Sequence, residues 1–452
     1  MQNQELTEKT FNCVLLGEEG TLAVQCGELL LAAGHSILAV VSPNAEISNW
    51  AQDKGLKTCD PSAALDAILE GTRPDYIFSI ANWKVLEPRE IAFANRMAIN
   101  YHDSLLPRYA GGNATNWAIL NGETQHGVTW HVMAEEIDAG DILQHVPITI
   151  DPDETAASLN AKCYEAAIQS FSDLIDQIAT GTLSPKPHAS ATRHYNSRYR
   201  KPMAAGLIDW RQSAAELERF TRAVDFGSYA NSFCLAKFRS DQEFLIVRRI
   251  APVPFPTTAP PGTVLAIDHN GPTIATGDGA VRLEGLQSIE GSPTSLRDVS
   301  IGDCLAEHDE TVGRIDTAVR RSAAHEAWWL TQLATVEPLN LIPAPRASVK
   351  ASNRDRYTRH SLDVPETKVT GGADLVAALA LYLARLSGQS RIDFALEDAD
   401  VSQGITGLQG LFAHEVPCLV SVAPNLPVGQ ALPLATDQIV QIRAKGSYLR
   451  DL

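Results

Sequence analysis

The chemistry-bearing stretch of this chain is Ile99-Asn100-Tyr101-His102-Asp103-Ser104-Leu105-Leu106-Pro107-Arg108-Tyr109. In extended backbone, residues two apart point to the same face, so a strand through Met97 to Asn100 aligns Asn100 with His102. The first is an amide donor, and the second can carry or release a proton near neutral pH. Downstream, Gly127 to Met133 has strand character and runs into Glu135-Glu136-Ile137-Asp138-Ala139-Gly140-Asp141. An Asn, a His and an Asp converging at strand ends can stabilise an oxyanion and move a proton. Taken singly, Asn100 and His102 fit a hydrogen-bonded turn equally well, and Asp138 a loop acid. All three in this order beside Ser-Leu-Leu-Pro favour the chemical reading.

These motifs, Asn-x-His-x-Ser-Leu-Leu-Pro-x-Tyr from 100 to 109 and Ile-Asp-x-Gly-Asp from 137 to 141, resemble the signature of the folate-dependent N-formyltransferases. That family includes methionyl-tRNA, glycinamide ribonucleotide and sugar formyltransferases, and formylation domains at the start of some nonribosomal peptide synthetases. The resemblance covers residues 10 to 180. It implies 10-formyltetrahydrofolate as co-substrate and no metal. It also implies that the Asn100 amide and a protonated His102 meet the oxyanion of a tetrahedral intermediate. Asp138 would hold the imidazole and help carry the proton from the attacking amine to the leaving folate nitrogen. The pterin would lie along Trp83, Lys84, Val85 and Leu86 and the backbone of Glu135, Glu136 and Ile137. Ser104, Leu105, Leu106 and Pro107 would form the floor.

The elements that must position these residues alternate along the chain. Phe11 to Gly17, Ile37 to Val41 and Tyr76 to Ile80 read as strands. Between them Thr21 to Ala33, Ile47 to Lys54 and Ser62 to Glu70 read as helices, with Ser62 a fitting N-cap. This alternation predicts an α/β fold with a doubly wound, mostly parallel sheet covered on both faces, whose ligands bind at the carboxyl ends of the strands. Helices are expected over Asn113 to Leu120 and Glu154 to Ile178, and Gly17-Glu18-Glu19-Gly20 is a turn, since its two acids would repel phosphate. After a linker at Gly181 to Pro187, Ile208-Asp209-Trp210 and a helix from Ala214 to Ala223 open a second unit. Strand-like segments follow at Phe244 to Ile250, Gly262 to Ile267, Thr273 to Thr276 and Ala280 to Leu286, broken by the Pro-rich 252 to 261 and Gly-Asp-Gly at 277 to 279. This resembles the small open β-barrel that follows the catalytic domain in methionyl-tRNA and sugar formyltransferases.

From about residue 300 the character changes. His325-Glu326-Ala327-Trp328-Trp329-Leu330, Ile342-Pro343 and the apolar run Leu375 to Leu386 resemble the middle of a peptide-synthetase condensation domain. The paired histidines of such domains are absent, which makes this an α+β condensation-like remnant that packs and spaces domains, with 375 to 386 an ordinary buried helix. Lys445 to Leu452 resembles the segment leading into an adenylation domain. Three domains are therefore expected: 1–184 catalytic, 185–300 barrel, and 301–452 remnant.

Composition narrows the partners. Of 452 residues, 44% are hydrophobic and 20% charged, ordinary for a globular chain, with no apolar run of membrane-spanning length and no signal peptide. Seven scattered cysteines, never in Cys-x-x-Cys spacing, fit a reduced cytoplasmic protein without a zinc site. The net charge of −17 opposes general nucleic-acid binding. From 185 to 250, however, twelve Lys and Arg stand against six Asp and Glu, which is either a solvated face or a docking surface for something phosphorylated or acidic. The expected activity is formyl transfer to the amine of an aminoacyl group carried on the phosphopantetheine arm of a peptidyl carrier protein, beside an adenylation domain. Alternatives are formylation of methionyl-tRNA or of a sugar nucleotide, hydrolysis of formyl-folate, and a non-catalytic docking platform.

Overall fold

The computed structural model describes residues 10–62, 65–187, 193–227, 229, 233–241, 243–339 and 372–451. In its first part, strands β1 (Asn12–Gly17), β2 (Ser36–Val41), β3 (Thr58–Cys59), β4 (Tyr76–Ile80) and β5 (Met97–His102) alternate with helices α1 (Leu22–Ala32), α2 (Ala45–Asp53), α3 (Leu65–Ile68) and α4 (Pro88–Ile91). A two-residue β6 (Ala110–Gly111) precedes helix α5 (Ala114–Leu120). Then come β7 (Gln125–Val132), β8 (Ile142–Thr149) and the long α6 (Ala156–Thr180). Seven of these strands form one sheet, ordered β3-β2-β1-β4-β5-β7-β8. The pairs from β3 to β5 are parallel, and β7 and β8 close the sheet antiparallel. The doubly wound, mostly parallel sheet is thus present, with its chain reversal between β2 and β4 on either side of β1.

Both faces are covered, as near-continuous apolar strands require. On one face, Leu15, Phe78, Ile99, Tyr101 and Trp130 pack with Leu30 of α1 and Phe171 of α6. On the other, Val14, Leu16, Ile77 and Ala98 pack with Leu65, Ile68 and Leu86. Strand β8 was not apparent from its residues because it is an edge strand. It alternates between partly buried and exposed residues and contains Pro147, whose missing N–H is tolerated where one side of a strand has no neighbour. Of the helix expected over Ser62 to Glu70, only Leu65–Ile68 is helical among the described residues. The Ser62 hydroxyl donates to Asp60 (2.6 Å) in a local turn.

The chain then passes through β9 (Tyr195–Asn196), which pairs with β6, to helix α7 (Ala214–Ala223). Five antiparallel strands follow: β10 (Lys237–Ser240), β11 (Glu243–Val253), β12 (Val264–Asp268), β13 (Gly271–Ala275) and β14 (Ala280–Ser288), in the order β10-β11-β14-β13-β12. This open half-barrel is not a separate body. Trp117 and Ile119 of α5 share one apolar core with Trp210, Phe220, Phe233 and Leu283. Residues beyond 300 remain on it, since Thr263 bridges Cys304 and the Trp210 indole donates to the Leu305 carbonyl (3.2 Å).

The last part comprises α8 (Asp309–Ser322), α9 (Glu326–Ala334), α10 (Gly372–Ser387), β15 (Arg391–Leu396), α11 (Ala399–Ser402), β16 (Val416–Ser421) and α12 (Val428–Lys445). Ile342-Pro343 lies outside the described residues. Helix α10 buries Val376, Ala377, Ala380, Leu381 and Ala384 against the β15–β16 pair and α12. Contrary to the expectation of a buried helix, its other side, Leu375, Leu379, Tyr382 and Leu386, is exposed. The stripe from 376 to 384 is only one face wide, so the helix is amphipathic with an apolar outer row. No described helix is long and apolar enough to cross a membrane.

Candidate functional site

Strand pairing assembles the site at one edge of the parallel array. Asn100 and His102 leave β5 on one face while Ile99 and Tyr101 enter the core on the other. In the antiparallel register between β5 and β7, His131 lies directly opposite Asn100 and Thr129 opposite His102. The chain leaves β7 through 134–138 and turns back at Asp138, which adopts a left-handed backbone (φ 53°) that Asp tolerates better than most residues. Gly140 follows under duress of space. A Cβ there would lie 1.8 Å from the Val132 carbonyl oxygen, so only glycine lets the loop fold back so tightly.

The side chains form a buried cluster. Asp138 Oδ2 accepts the Gly111 N–H (2.7 Å) and lies 3.6 Å from His102 Nδ1; its Oδ1 lies 3.4 Å from His131 Nε2. His102 and Asp138 are 5% and 9% exposed, so the pair interacts through little water. The other His102 nitrogen, Nε2, is 2.8 Å from the Tyr109 carbonyl oxygen. A carbonyl can only accept, so Nε2 carries a proton and Nδ1 is the edge at which a second proton comes and goes. Asp103 Oδ1 approaches that edge at 3.9 Å. Burial works against the charged imidazole, but Asp138, Asp103 and the Tyr109 carbonyl outweigh it and raise the His102 pKa above its ordinary value. For Asp138, burial pushes the pKa up. His102, His131 and the Gly111 N–H overcome this and hold the carboxyl well below the usual carboxylate range.

His131 was not among the residues singled out from sequence. Its signal was the alternation Thr129-x-His131 on the strand expected over Gly127 to Met133, which puts two polar groups on the same face. It lies directly against Asn100. Asn100 Nδ2 has two hydrogens: one goes to the Tyr101 carbonyl (3.0 Å) and the other faces His131 Nε2 (3.1 Å). His131 Nδ1 sits 2.9 Å from the Val132 carbonyl and must donate there, while Nε2 lies between the Asn100 amide (3.1 Å) and Asp138 Oδ1 (3.4 Å). The Asn100 amide is therefore held between the Tyr101 carbonyl and the His131 ring.

The residues expected along the pterin divide into side chains that face out and side chains that support. Val85 is 63% exposed and Ile137 36%. Glu135 and Glu136 are exposed, and Trp83 and Lys84 are half-buried. The Trp83 N–H donates to Glu18 (2.9 Å), and the Lys84 ammonium is paired with Glu90 (2.7 Å). The side chains of Leu86, Ser104 and Leu106 are buried. Leu86 is in the core, the Ser104 hydroxyl donates to the Arg108 carbonyl, and the Leu106 N–H donates to Thr129. Leu105 is half-buried against Gly127, and Pro107 is half-buried next to it. No group of three or more His, Cys, Asp or Glu among the described residues could hold a metal ion.

The basic window from 185 to 250 is largely answered by acids. Arg193, Lys201, Arg211, Arg222, Lys237, Arg239, Arg248 and Arg249 each lie within ion-pair distance of a carboxylate, and Glu136, Glu284, Glu307, Glu326 and Asp451 come from outside the window. Lys201 is not a surface group: its side chain is 4% exposed against Glu326. Arg198 and Arg200 are exposed, Arg200 stacking over Trp117 (4.7 Å).

Compared with known proteins, residues 44–175 match the family described as Formyl transferase, and 202–303 match Formyl transferase, C-terminal domain. A methionyl-tRNA formyltransferase of Treponema pallidum is 36% identical over 246 residues, 54% of this chain and 74% of that protein. Among solved structures, a sugar 3N-formyl transferase, WlaRD, crystallised with dTDP and 5-N-formyl-THF, is 20% identical. It covers 61% of this chain and 97% of its own, with a TM-score of 0.49. An N-formyltransferase from Helicobacter canadensis, in complex with folinic acid and dTDP-3-aminofucose, is 17% identical, covers 62% and 100%, and has a TM-score of 0.48.

Proposed function

Because the chain belongs to the formyl transferase family, we propose that it moves a formyl group from 10-formyltetrahydrofolate to the amine of an aminoacyl group held on a carrier protein's phosphopantetheine arm. The observation that carries the transfer chemistry is the buried His102–Asp138 pair with Asn100 beside it. The loops on either side suit a flat donor. Leu86 and Met133 share one apolar cluster, so 83–86 and 134–138 stand side by side, with Val85 and Ile137 as exposed apolar surfaces that a ring would cover. Bound there, the folate supplies a formyl group on nitrogen. Asn100 and the Nδ1 proton of His102 then donate to the negative charge developing on the formyl oxygen. Asp138 keeps His102 charged until the proton leaves Nδ1 for the departing nitrogen, and the ring accepts the proton of the attacking amine in return.

This assignment has a pH signature. The raised folded-state pKa of His102 means that its stabilising charge is complete below about pH 6.5 and is lost as pH climbs through the raised value. The lowered pKa of Asp138 means that its contribution is complete above about pH 4 and is lost only in acid. Turnover should therefore hold through neutral pH and fall on the alkaline side, measured as log kcat against pH. A rate that rises continuously with pH would mean that neutral His102 is the working form.

The carrier-bound acceptor is supported by the acidic balance of the chain and by the condensation-like segment after residue 300. The 36% identical relative favours methionyl-tRNA as the second reading. The deciding experiment offers the purified protein 10-formyltetrahydrofolate with an aminoacyl carrier protein, a methionyl-tRNA or an amino-sugar nucleotide, and follows the formyl adduct by mass spectrometry. Adduct on the carrier alone is the expected result. Adduct on the tRNA or the sugar alone would replace this reading.

A further inference from the structure

The segment joining the two folded units does more than connect them. After the described chain resumes at Arg193, β9 lies against β6, so that Ala110 pairs with Tyr195 and Gly111 with Asn196. The Ala110 N–H donates to the His194 carbonyl (2.9 Å) and the Gly112 N–H to the Asn196 carbonyl (2.8 Å). The fit leaves no room: a Cβ on Gly111 would lie 2.0 Å from the Asn196 carbonyl oxygen, and one on Gly112 would lie 2.7 Å from Arg198 Cα. Between these two bonds is the Gly111 N–H, which points the other way, to Asp138. The strap thus fixes from outside the backbone donor that holds the Asp138 carboxylate.

Its first residue reaches the same carboxylate's loop from a second direction. Arg193 Nη1 donates to Glu136 Oε1 and Nη2 to the Ile137 carbonyl, both at 2.5 Å, and its side chain is only 16% exposed. Arg193 also lies over the Tyr195 ring (5.3 Å), which limits the rotamers it can take. A planar guanidinium bonding a carboxylate and a main-chain carbonyl one residue apart holds that peptide in a single orientation. The residue immediately after Ile137 is Asp138, whose left-handed backbone offers the fewest alternatives but also needs the most support.

We propose that Arg193 is a positioning residue for the transfer reaction: from the inter-unit strap it holds the Glu136 carboxylate and the carbonyl of the Ile137–Asp138 peptide and so sets the Asp138 carboxylate against His102. The role rests on the reading that Asp138 keeps His102 charged. It makes the strap, which lies outside both family matches, part of what the site needs in order to work.

The test is Arg193→Ala beside Arg193→Lys and Asp138→Asn, assayed for formyl transfer across pH. His102 Nδ1 is faced by Asp138 and Asp103, with His126 and His131 as the other ionisable rings nearby, and Arg193→Ala alters none of these groups chemically. Arg193→Ala should lower kcat about 10–100-fold, more than it raises KM for the folate lying along the same loop, because a misplacement of an ångström at a catalytic group costs on that order. Its alkaline limb should move to lower pH, since a loosened Asp138 supports the His102 charge less. Arg193→Lys, which can make one of the two bonds, should recover part of the rate. If Asp138→Asn abolishes turnover while Arg193→Ala keeps the wild-type rate and pH profile, the clamp is not a positioning device. If Asp138→Asn itself retains turnover, the underlying reading fails and the clamp with it. A lowered rate in Arg193→Ala with an unmoved pH limb and no rescue by Lys would assign Arg193 to folding alone and overturn the proposal.

Discussion

Replacing His102 with alanine should lower formyl transfer by about 10³-fold, with the fold kept but the melting temperature lowered, because the buried Asp138 carboxylate loses a partner. Loss of one oxyanion donor costs ~10²–10³ in rate, and loss of a general acid–base contributes ~10²–10⁴. The two roles fall on one ring and are not fully additive. The fold survives because the ring lies on the face of β5 opposite Ile99 and Tyr101, which supply the apolar packing. Asp138→Asn is the companion variant. It preserves the volume, the Gly111 bond and the tolerance for a left-handed backbone, and removes only the charge that sustains His102. A loss of about 10²-fold is expected. Turnover within a few-fold of wild type in either folded variant would remove that residue from the mechanism.

The second large effect is structural. A chain ending at Glu307 keeps the five-stranded sheet, the Leu305 contacts and the Arg239–Glu307 pair, yet it should be poorly soluble and should melt far below the full chain. One apolar core is shared across the cut: Ala204, Ala205, Phe244, Ile246 and Ile289 pack with Ile315 and Val319 of α8 and with Leu408, Leu411, Phe412 and Leu449. Exposing Phe244 and Ile246 alone would forfeit roughly 1.5–3 kcal/mol each. Lys237 is 0% exposed and is paired with Asp451, and nearby Lys201 is paired with Glu326. Removing one member of a buried ion pair typically costs about 3–5 kcal/mol, because a charge is left in low dielectric without a partner. Together these approach the ~5–15 kcal/mol stability of a whole protein. Adding Lys201→Met and Lys237→Met to the truncation should recover part of the melting temperature, since the stranded charges are gone. A truncated chain that melts like the full-length protein would show that residues 308–451 are an appendage.

The sequence by itself determined a good deal. Periodicity placed β1, β2, β4 and β5 and the helices α1, α6 and α7 within a few residues, because a doubly wound unit repeats one local pattern of buried strand and one-faced helix. The two-residue spacing of Asn100 and His102 placed them on one face, since that follows from backbone geometry within a single strand. What only the tertiary structure decided depends on partners distant along the chain. His131 reaches Asn100 through the register of β5 on β7, and one residue of slip would have turned it into the core. Arg193 reaches the Asp138 loop across 56 positions. The lysines at 201 and 237, which in sequence belong to a basic stretch, become buried ion pairs because Glu326 and Asp451 are brought to them from beyond residue 300. A run of like charge specifies only local composition. Whether a charge meets water or a counter-ion is set by which remote segment the fold lays against it, and local spacing holds no record of that choice.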